Sequence, residues 1–200
     1  MASKGRFIVI EGGEASGKST QANRLAAELG GLLTREPGGT AVGERLRAIL
    51  LDPALPEIAD RAEALMMLAA RAQHVAEVIV PALEAGQDVI CDRFAGSTLA
   101  YQGYGRGLAP GPLAEVSAWA ANGLRPDRVI LLQVPAPEAA ERLHRRGGTD
   151  RLEGESAAFF ARVGTGFATL AAADPVTWRA VDGVGSTDEV AGRVVMAAQA

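Results

Sequence analysis

The stretch Gly12-Gly13-Glu14-Ala15-Ser16-Gly17-Lys18-Ser19 fits the pattern G-x-x-x-x-G-K-[ST], and its reading decides the fold. An apolar, β-branched run over 7–11 precedes it, and a helix-spaced segment over 20–29 follows it. Strand, glycine-rich turn and helix in that order make a cradle for phosphates. The glycines let backbone N–H groups point inward, and the helix adds its positive end. Lys18 is then placed to bridge the β- and γ-phosphates of a nucleoside triphosphate, and Ser19 to ligate Mg²⁺.

Outward from that loop, short apolar runs over 32–35, 89–91, 129–134 and 176–181 read as further strands. Between them, 43–51, 61–84, 112–122 and 137–146 carry helical spacing. In 61–84 the apolar stripe is Ala64, Leu65, Leu68, Val75, Val78 and Ile79. Strands alternating with helices predict an α/β fold around a mainly parallel sheet, in one domain spanning 1–200. The chain has 200 residues, enough to bury a full core. At 48% hydrophobic and 22% charged it has the composition of a globular protein.

Net charge is −4, with both signs interspersed, which argues against a nucleic-acid partner. The single Cys91 excludes an internal disulfide and suits a reducing compartment. No run approaches the roughly 20 apolar residues of a membrane span, and Glu11 interrupts the run that could pass for a signal peptide. A soluble, cytoplasmic protein is expected.

The loop alone does not choose among kinase, ATPase and GTPase. An N-K-x-D segment, which a GTPase would use to read its base, is absent. The strand that in an ATPase motor would end in Asp-Glu ends here in Asp92-Arg93. An acid for a metal shell followed by a base for a second anion suggests two phosphate-bearing ligands facing each other.

Other segments then become informative together. Thr34-Arg35-Glu36-Pro37-Gly38-Gly39-Thr40 follows the second strand, and Arg47 lies on the next helix. Arg71 closes Leu65-Met66-Met67-Leu68-Ala69-Ala70-Arg71, and Asp92-Arg93-Phe94 leads into Ser97-Thr98-Leu99-Ala100-Tyr101-Gln102-Gly103. In this order the pieces resemble thymidylate kinases, which phosphorylate dTMP to dTDP with ATP. The resemblance runs from Phe7 to about Phe160. It implies a three-layer nucleoside monophosphate kinase fold, a parallel five-stranded sheet flanked by helices, and a homodimer built on helix packing.

The resemblance also implies roles. ATP would lie on Gly12 to Ser19 and Thr20, with Mg²⁺ held by Ser19 and Asp92, in part through water. Arg35, Arg47 and Arg93 would hold the dTMP phosphate, because a guanidinium fork pairs two oxygens at once. Arg45 and Arg47 stand about 200° apart on a helix, so only one can face the site, and the family selects Arg47. Arg71 would bond the thymine carbonyl, with Thr98 assisting, and Gln102 would read the Watson–Crick edge. Tyr101 would exclude a ribose hydroxyl beside C2′, Glu14 would hold the 3′-hydroxyl, and Glu36 with Pro37 would line the acceptor site. Glu36 and Asp92 would orient the arginines or the metal.

The charge-rich segment over about 145–155 resembles the lid of these kinases. Some members carry a catalytic arginine in the phosphate loop, where this chain has Ala15. Others supply it from the lid, where Arg151 in Asp150-Arg151-Leu152-Glu153 matches and Arg146 would help. Lys18, Arg93, Arg151, Asp92 and Glu14 are thus the candidate catalytic set. Arg142 and the loop over 182–185 are candidates for enclosing adenine. One departure is Met67, four residues before Arg71, where the family has a phenylalanine stacking on thymine. His74, His144, Trp119 and Trp178 read as packing or incidental residues, and Cys91 as an inert core thiol.

Three rivals remain on sequence alone. A kinase of another nucleoside monophosphate is opposed by the two acceptor segments, and a deoxynucleoside kinase by the three arginines. A non-catalytic nucleotide-binding switch is opposed by intact Lys18, Ser19, Asp92 and Arg151.

Overall fold

A computed structural model describes residues 4–147 and 150–199. Five strands form one parallel sheet: β1 (Phe7–Gly12), β2 (Leu32–Arg35), β3 (Val89–Asp92), β4 (Arg128–Gln133) and β5 (Trp178–Asp182), in the order β2-β3-β1-β4-β5. All six residues of β1 are buried, as a central strand of a parallel sheet covered on both faces requires. Side chains alternate between the layers with the period of two. Ile8, Ile10, Ile90, Ile130 and Leu132 pack on Ala22 and Leu25 of α1 (Lys18–Leu29) and on Val190 and Val194 of α9 (Thr187–Gln199). Phe7, Val9, Val89, Cys91 and Val129 face the other way, against Val75, Ile79, Leu83 and Phe94.

Among the described residues, seven further helices complete the fold. They are α2 (Ala41–Leu51), α3 (Asp60–His74), α4 (Val80–Glu84), α5 (Ala95–Thr98), α6 (Pro110–Ala120), α7 (Ala136–Arg146) and α8 (Ala157–Ala173). Two wider π-turns, Val75–Ile79 and Leu99–Gly105, carry α3 into α4 and prolong α5.

The five predicted strands and the helices between them are present, with ends shifted by one or two residues. The expected helix over 61–84 is continuous in course but is widened by the π-turn. Its stripe is buried at Ala64, Leu68, Val75 and Ile79, whereas Leu65 is exposed. Position 65 lies about 100° around the helix from 64, and the stripe follows 64. Helices α8 and α9 lie outside the predicted elements. Phe159, Val163 and Phe167 of α8 close a third core cluster under Tyr101.

Candidate active site

The chain runs β1, β2, β3 on one side of the sheet and then crosses β1 to β4 and β5. The loops after β1, β2 and β3 leave a crevice at the carboxyl ends of those strands. A cavity of about 450 Å³ opens there.

The phosphate loop forms its floor. Gly17 has φ 91°, and its non-glycine neighbour Ala15 has φ 53°, so the turn is left-handed where it enters α1. Lys18 is buried and its Nζ donates to the Gly13 carbonyl at 2.5 Å. Burial, with the Arg93 charge beside it, pushes the Lys18 ammonium down to about 8. Ser19 Oγ donates to Asp92 Oδ2 at 2.5 Å, while Asp92 Oδ1 is buried and has no partner among the described residues. Glu14, Ala15, Gly17, Lys18, Ser19, Thr20 and Asp92 line the cavity. Gly12, Gly13 and Ser16 build the turn behind it.

Arg93 faces this floor from the end of β3. Its backbone is left-handed at φ 70°, a conformation that costs a non-glycine residue about 1–3 kcal/mol unless its surroundings hold it. Glu11, fully buried on β1, supplies that hold. It accepts from the N–H groups of Phe94 and Ser97 at 3.0 and 2.9 Å, and from Ser97 Oγ at 2.6 Å. The same Ser97 hydroxyl accepts from Arg93 Nη1 at 3.1 Å. Arg93 Nη2 donates to Glu14 Oε1 at 2.6 Å, and the Tyr101 hydroxyl donates to the same oxygen at 2.6 Å. Burial pulls the guanidinium down, but Glu14 and the other acids around it raise it overall. Burial, reinforced by Glu14, pushes the Tyr101 phenol up, so it stays a donor.

Arg35 pairs with Glu44 of α2 at 3.0 Å, and Glu44 also accepts from the Gly39 N–H at 2.9 Å. Arg47 donates to the Pro37 carbonyl at 2.9 Å, beyond the cis Glu36–Pro37 bond. Arg35, Pro37 and Arg47 line the cavity, whereas Arg45 is exposed on another side of α2.

At the far end, Arg71 of α3 is 2% exposed and held on three sides. It donates to Glu36 Oε2 at 2.8 Å, to Ser117 Oγ at 2.9 Å and to Thr98 Oγ1 at 2.9 Å. Its guanidinium lies 4.9 Å from the Phe94 ring centre. Glu36 Oε1 bonds His74 Nδ1 at 3.1 Å, and His74 Nε2 bonds Thr34 Oγ1 at 2.6 Å. A Cβ at position 39 would stand 2.5 Å from His74 Nε2, so Gly39 is needed for the ring to sit there. His74 is therefore part of the wall behind the site, and its sequence gave no sign of it. Met67 and Gln102 complete the lining, and Gln102 Nε2 donates to Glu63 at 2.8 Å.

The segment expected to act as a lid reaches the cavity in part. Arg151 is not among the described residues lining the cavity. Its Nη2 donates to Glu63 Oε2 at 2.5 Å and its Nε to the Leu50 carbonyl at 2.8 Å. The neighbouring Asp150, Leu152 and Glu153 do line the cavity, as does Arg142, which donates to the Gly183 carbonyl at 3.0 Å. Burial, and then the Glu153 and Glu14 charges, raise the Asp150 carboxyl. The side chain of Arg146 and residues 148–149 lie outside the described residues.

Ser97, Glu11, Glu44, Ser117, His74 and Glu63 are site residues that sequence reasoning missed. Only Glu44 carried a signal, as an acid one helical turn from Arg47.

The family model for thymidylate kinase matches residues 10–194. The thymidylate kinase of Pelotomaculum thermopropionicum is 49% identical, over 90% of this chain and 86% of its own. That of Gluconobacter oxydans is 48% identical, over 99% and 95%. A crystal structure of thymidylate kinase from Ehrlichia chaffeensis superposes with a TM-score of 0.80 at 29% identity, covering 96% of this chain and 98% of that one. With a family model matching most of the chain and relatives at nearly half identity over most of both lengths, the chain belongs to the thymidylate kinase family.

Proposed function

We propose that this protein transfers the γ-phosphoryl group of ATP to dTMP, giving dTDP and ADP. The observation that carries the reading is one cavity lined by both a triphosphate loop and a separate set of basic and polar side chains. Lys18 and the loop N–H groups would bind the donor phosphates. Arg35, Arg47 and Arg93 would bind the acceptor phosphate, with Glu36 and Pro37 beside them. Arg71, Thr98 and Gln102 would bind the base, and Met67 would pack on it. Tyr101 and Glu14 would flank the deoxyribose.

A divalent cation fits the residues present. Asp92 Oδ1 is a buried carboxylate oxygen without a partner among the described residues, next to the Ser19 hydroxyl on Oδ2. Among the described residues no three His, Cys, Asp or Glu side chains gather to hold a metal alone. Ser19 and Asp92 would therefore share Mg²⁺ with phosphate oxygens and water, and the ion would neutralise phosphate charge.

Little acid–base help is needed from the protein. The second pKa of a phosphate monoester is about 6, so the attacking oxygen is already ionised at neutral pH. What the chain supplies is alignment and positive charge from Lys18, Arg93 and Arg151. Arg151 would have to leave Glu63 to contribute. Closure of the lid over the donor would also keep out water, the competing acceptor.

We also infer a homodimer, on the family resemblance and on Leu65, Val116 and Trp119, which stand exposed on the packed pair α3 and α6. No helix among the described residues is long and apolar enough to cross a membrane; with the lone Cys91, this supports a place in the cytoplasm.

ADP release measured with dTMP, dUMP, UMP, CMP and AMP tests the proposal. Release should depend on acceptor and be fastest with dTMP. Equal rates with AMP, or no acceptor dependence, would reject it in favour of another monophosphate kinase or a binding switch.

A further inference from the structure

Glu63 of α3 is fully buried, and no part of the chemistry above uses it. Three side chains converge on its carboxylate. Gln102 Nε2 donates to Oε1 at 2.8 Å, Arg106 donates at 3.3 and 3.1 Å, and Arg151 donates at 2.5 Å. Burial alone would raise this carboxyl, but the bonds from Arg106, Gln102 and Arg151 bring it below its ordinary value. Glu63 is therefore ionised and can only accept hydrogen bonds.

That fixes which end of the Gln102 amide faces it. An amide can present either end to a ligand, and the two ends look nearly alike in shape. Beside an ionised carboxylate, only the NH₂ end can face Glu63. The carbonyl oxygen is then the end left for a bound base. Arg71, in contrast, is a donor at every polar atom. Among the described residues, three of its five N–H groups go to Glu36, Ser117 and Thr98, which leaves two.

The base end of the cavity therefore offers an acceptor from Gln102 and donors from Arg71. A 4-oxopyrimidine, such as thymine or uracil, has the matching edge: a ring N3–H donor beside a carbonyl acceptor. A 4-aminopyrimidine has the reverse, a bare N3 beside an amine. We propose that Glu63 is a positioning residue that makes the site select 4-oxo against 4-amino pyrimidines by locking the Gln102 amide. The inference rests on the reading of this cavity as the dTMP site.

Glu63→Gln tests it, because a glutamine at 63 can donate to the Gln102 oxygen and let that amide turn over. The substrates are dTMP and 5-methyl-dCMP, which share sugar, phosphate and methyl group and differ only at the edge in question. A site built to hydrogen-bond one edge rejects its mismatch by up to about 10⁴–10⁵ in kcat/KM. The native protein should prefer dTMP at least about 10³-fold. Glu63→Gln should shrink that ratio at least about tenfold, the scale of one mispaired buried hydrogen bond. Arg71 still opposes the amine, so the preference should not vanish. Glu63→Asp keeps a carboxylate and should keep the ratio.

Loosening Arg151 would change kcat for both substrates together, and the ratio cancels it. Should Glu63→Gln not fold, Glu63→Gln combined with Arg106→Gln removes the guanidinium left without its carboxylate, and is read in the same way. An unchanged ratio in a variant that still phosphorylates dTMP overturns the role of Glu63 and leaves dTMP as the acceptor. Native turnover of 5-methyl-dCMP equal to that of dTMP also overturns it. Native turnover of neither would overturn the dTMP reading and this inference with it.

Discussion

The end of the cavity proposed to hold the base and the segment proposed as a lid are built on opposite plans. Around Arg71 every partner is in place. Glu36, Ser117 and Thr98 hold the guanidinium, and His74 holds Glu36, all of them buried. In the segment proposed as a lid, Arg151 is bonded to Glu63 and Leu50 and does not line the cavity. On the proposed roles, recognition of the base would be pre-organised, while the full positive charge for phosphoryl transfer would have to be assembled. A site that assembled in the other order would risk spending its triphosphate on water. Glu63 is common ground between the two regions, since it binds both Gln102 and Arg151.

The largest effect expected from breaking this contrast is at the lid. Arg151→Ala should lower kcat about 10³-fold or more, the range for a transferred arginine in P-loop enzymes. Because Arg106 still pairs with Glu63 at 3.1 Å, the base end should keep its shape. The dissociation constant for dTMP should then stay within about threefold. Single-turnover kinetics and equilibrium binding separate the two quantities. An unchanged kcat would remove Arg151 from the chemistry.

The phosphate loop lies between the two regions, and pH is the means to probe it. Lys18 sits at about 8 in the unliganded fold. Bound phosphates favour its ammonium form, so triphosphate binding should be at full strength below that pH. Above it, affinity should fall by up to about tenfold per pH unit, with uptake of a proton on binding. Stability of the unliganded fold should run the other way. Between about 8 and the ordinary lysine value of 10.5, the unfolded chain binds the extra proton, so raising pH favours the folded state. Calorimetry at pH 8.5 in buffers of different ionisation enthalpy detects the proton. Uptake of none would mean that Lys18 is already fully charged.

What the sequence disclosed follows the same division between local and distant. The strands were legible because a central parallel strand must be apolar throughout, as 7–10 and 89–91 are. The phosphate loop was legible because its residues are contiguous. Helix α8 was not, because its buried Phe159, Val163 and Phe167 are set among alanines and glycines. The residues behind Arg71 were not either. Ser117 lies 46 positions away and Glu36 35, so nothing in their spacing shows that they meet. His74 is three residues from Arg71 on the same helix, but its role depends on Thr34 from β2.

That distant wall can be tested by removing its outermost member. His74→Leu fills a similar space and leaves Glu36 Oε1 without its partner. A lost hydrogen bond to a charged group is worth about 1.5–3 kcal/mol, of which Arg71 would transmit only part to a ligand. The expected result is a KM for dTMP raised about fivefold, with kcat nearly unchanged. Equal falls in both would place His74 in general folding and not in the base site.

The smallest expected effect, and the finest test of a pre-organised base end, is at Met67. It is half-buried in the cavity wall, four residues before Arg71, so both lie on one side of α3. A methionine has three rotatable side-chain bonds and a polarizable sulfur, so it can follow a base face without fixing it. A phenylalanine has two, and a flat ring stacks in defined offset geometries worth about 0.5–1.5 kcal/mol. Met67→Phe should lower KM for both dTMP and dUMP, because both bases present the same face. The thymine methyl adds contact at the edge of that ring, so the dTMP to dUMP ratio of kcat/KM should rise only about two- to threefold, well below one buried methyl's full worth. If the ratio is identical in native and variant proteins, Met67 does not broaden base selection. Discrimination at this end would then lie wholly in the polar edge held by Arg71 and Gln102.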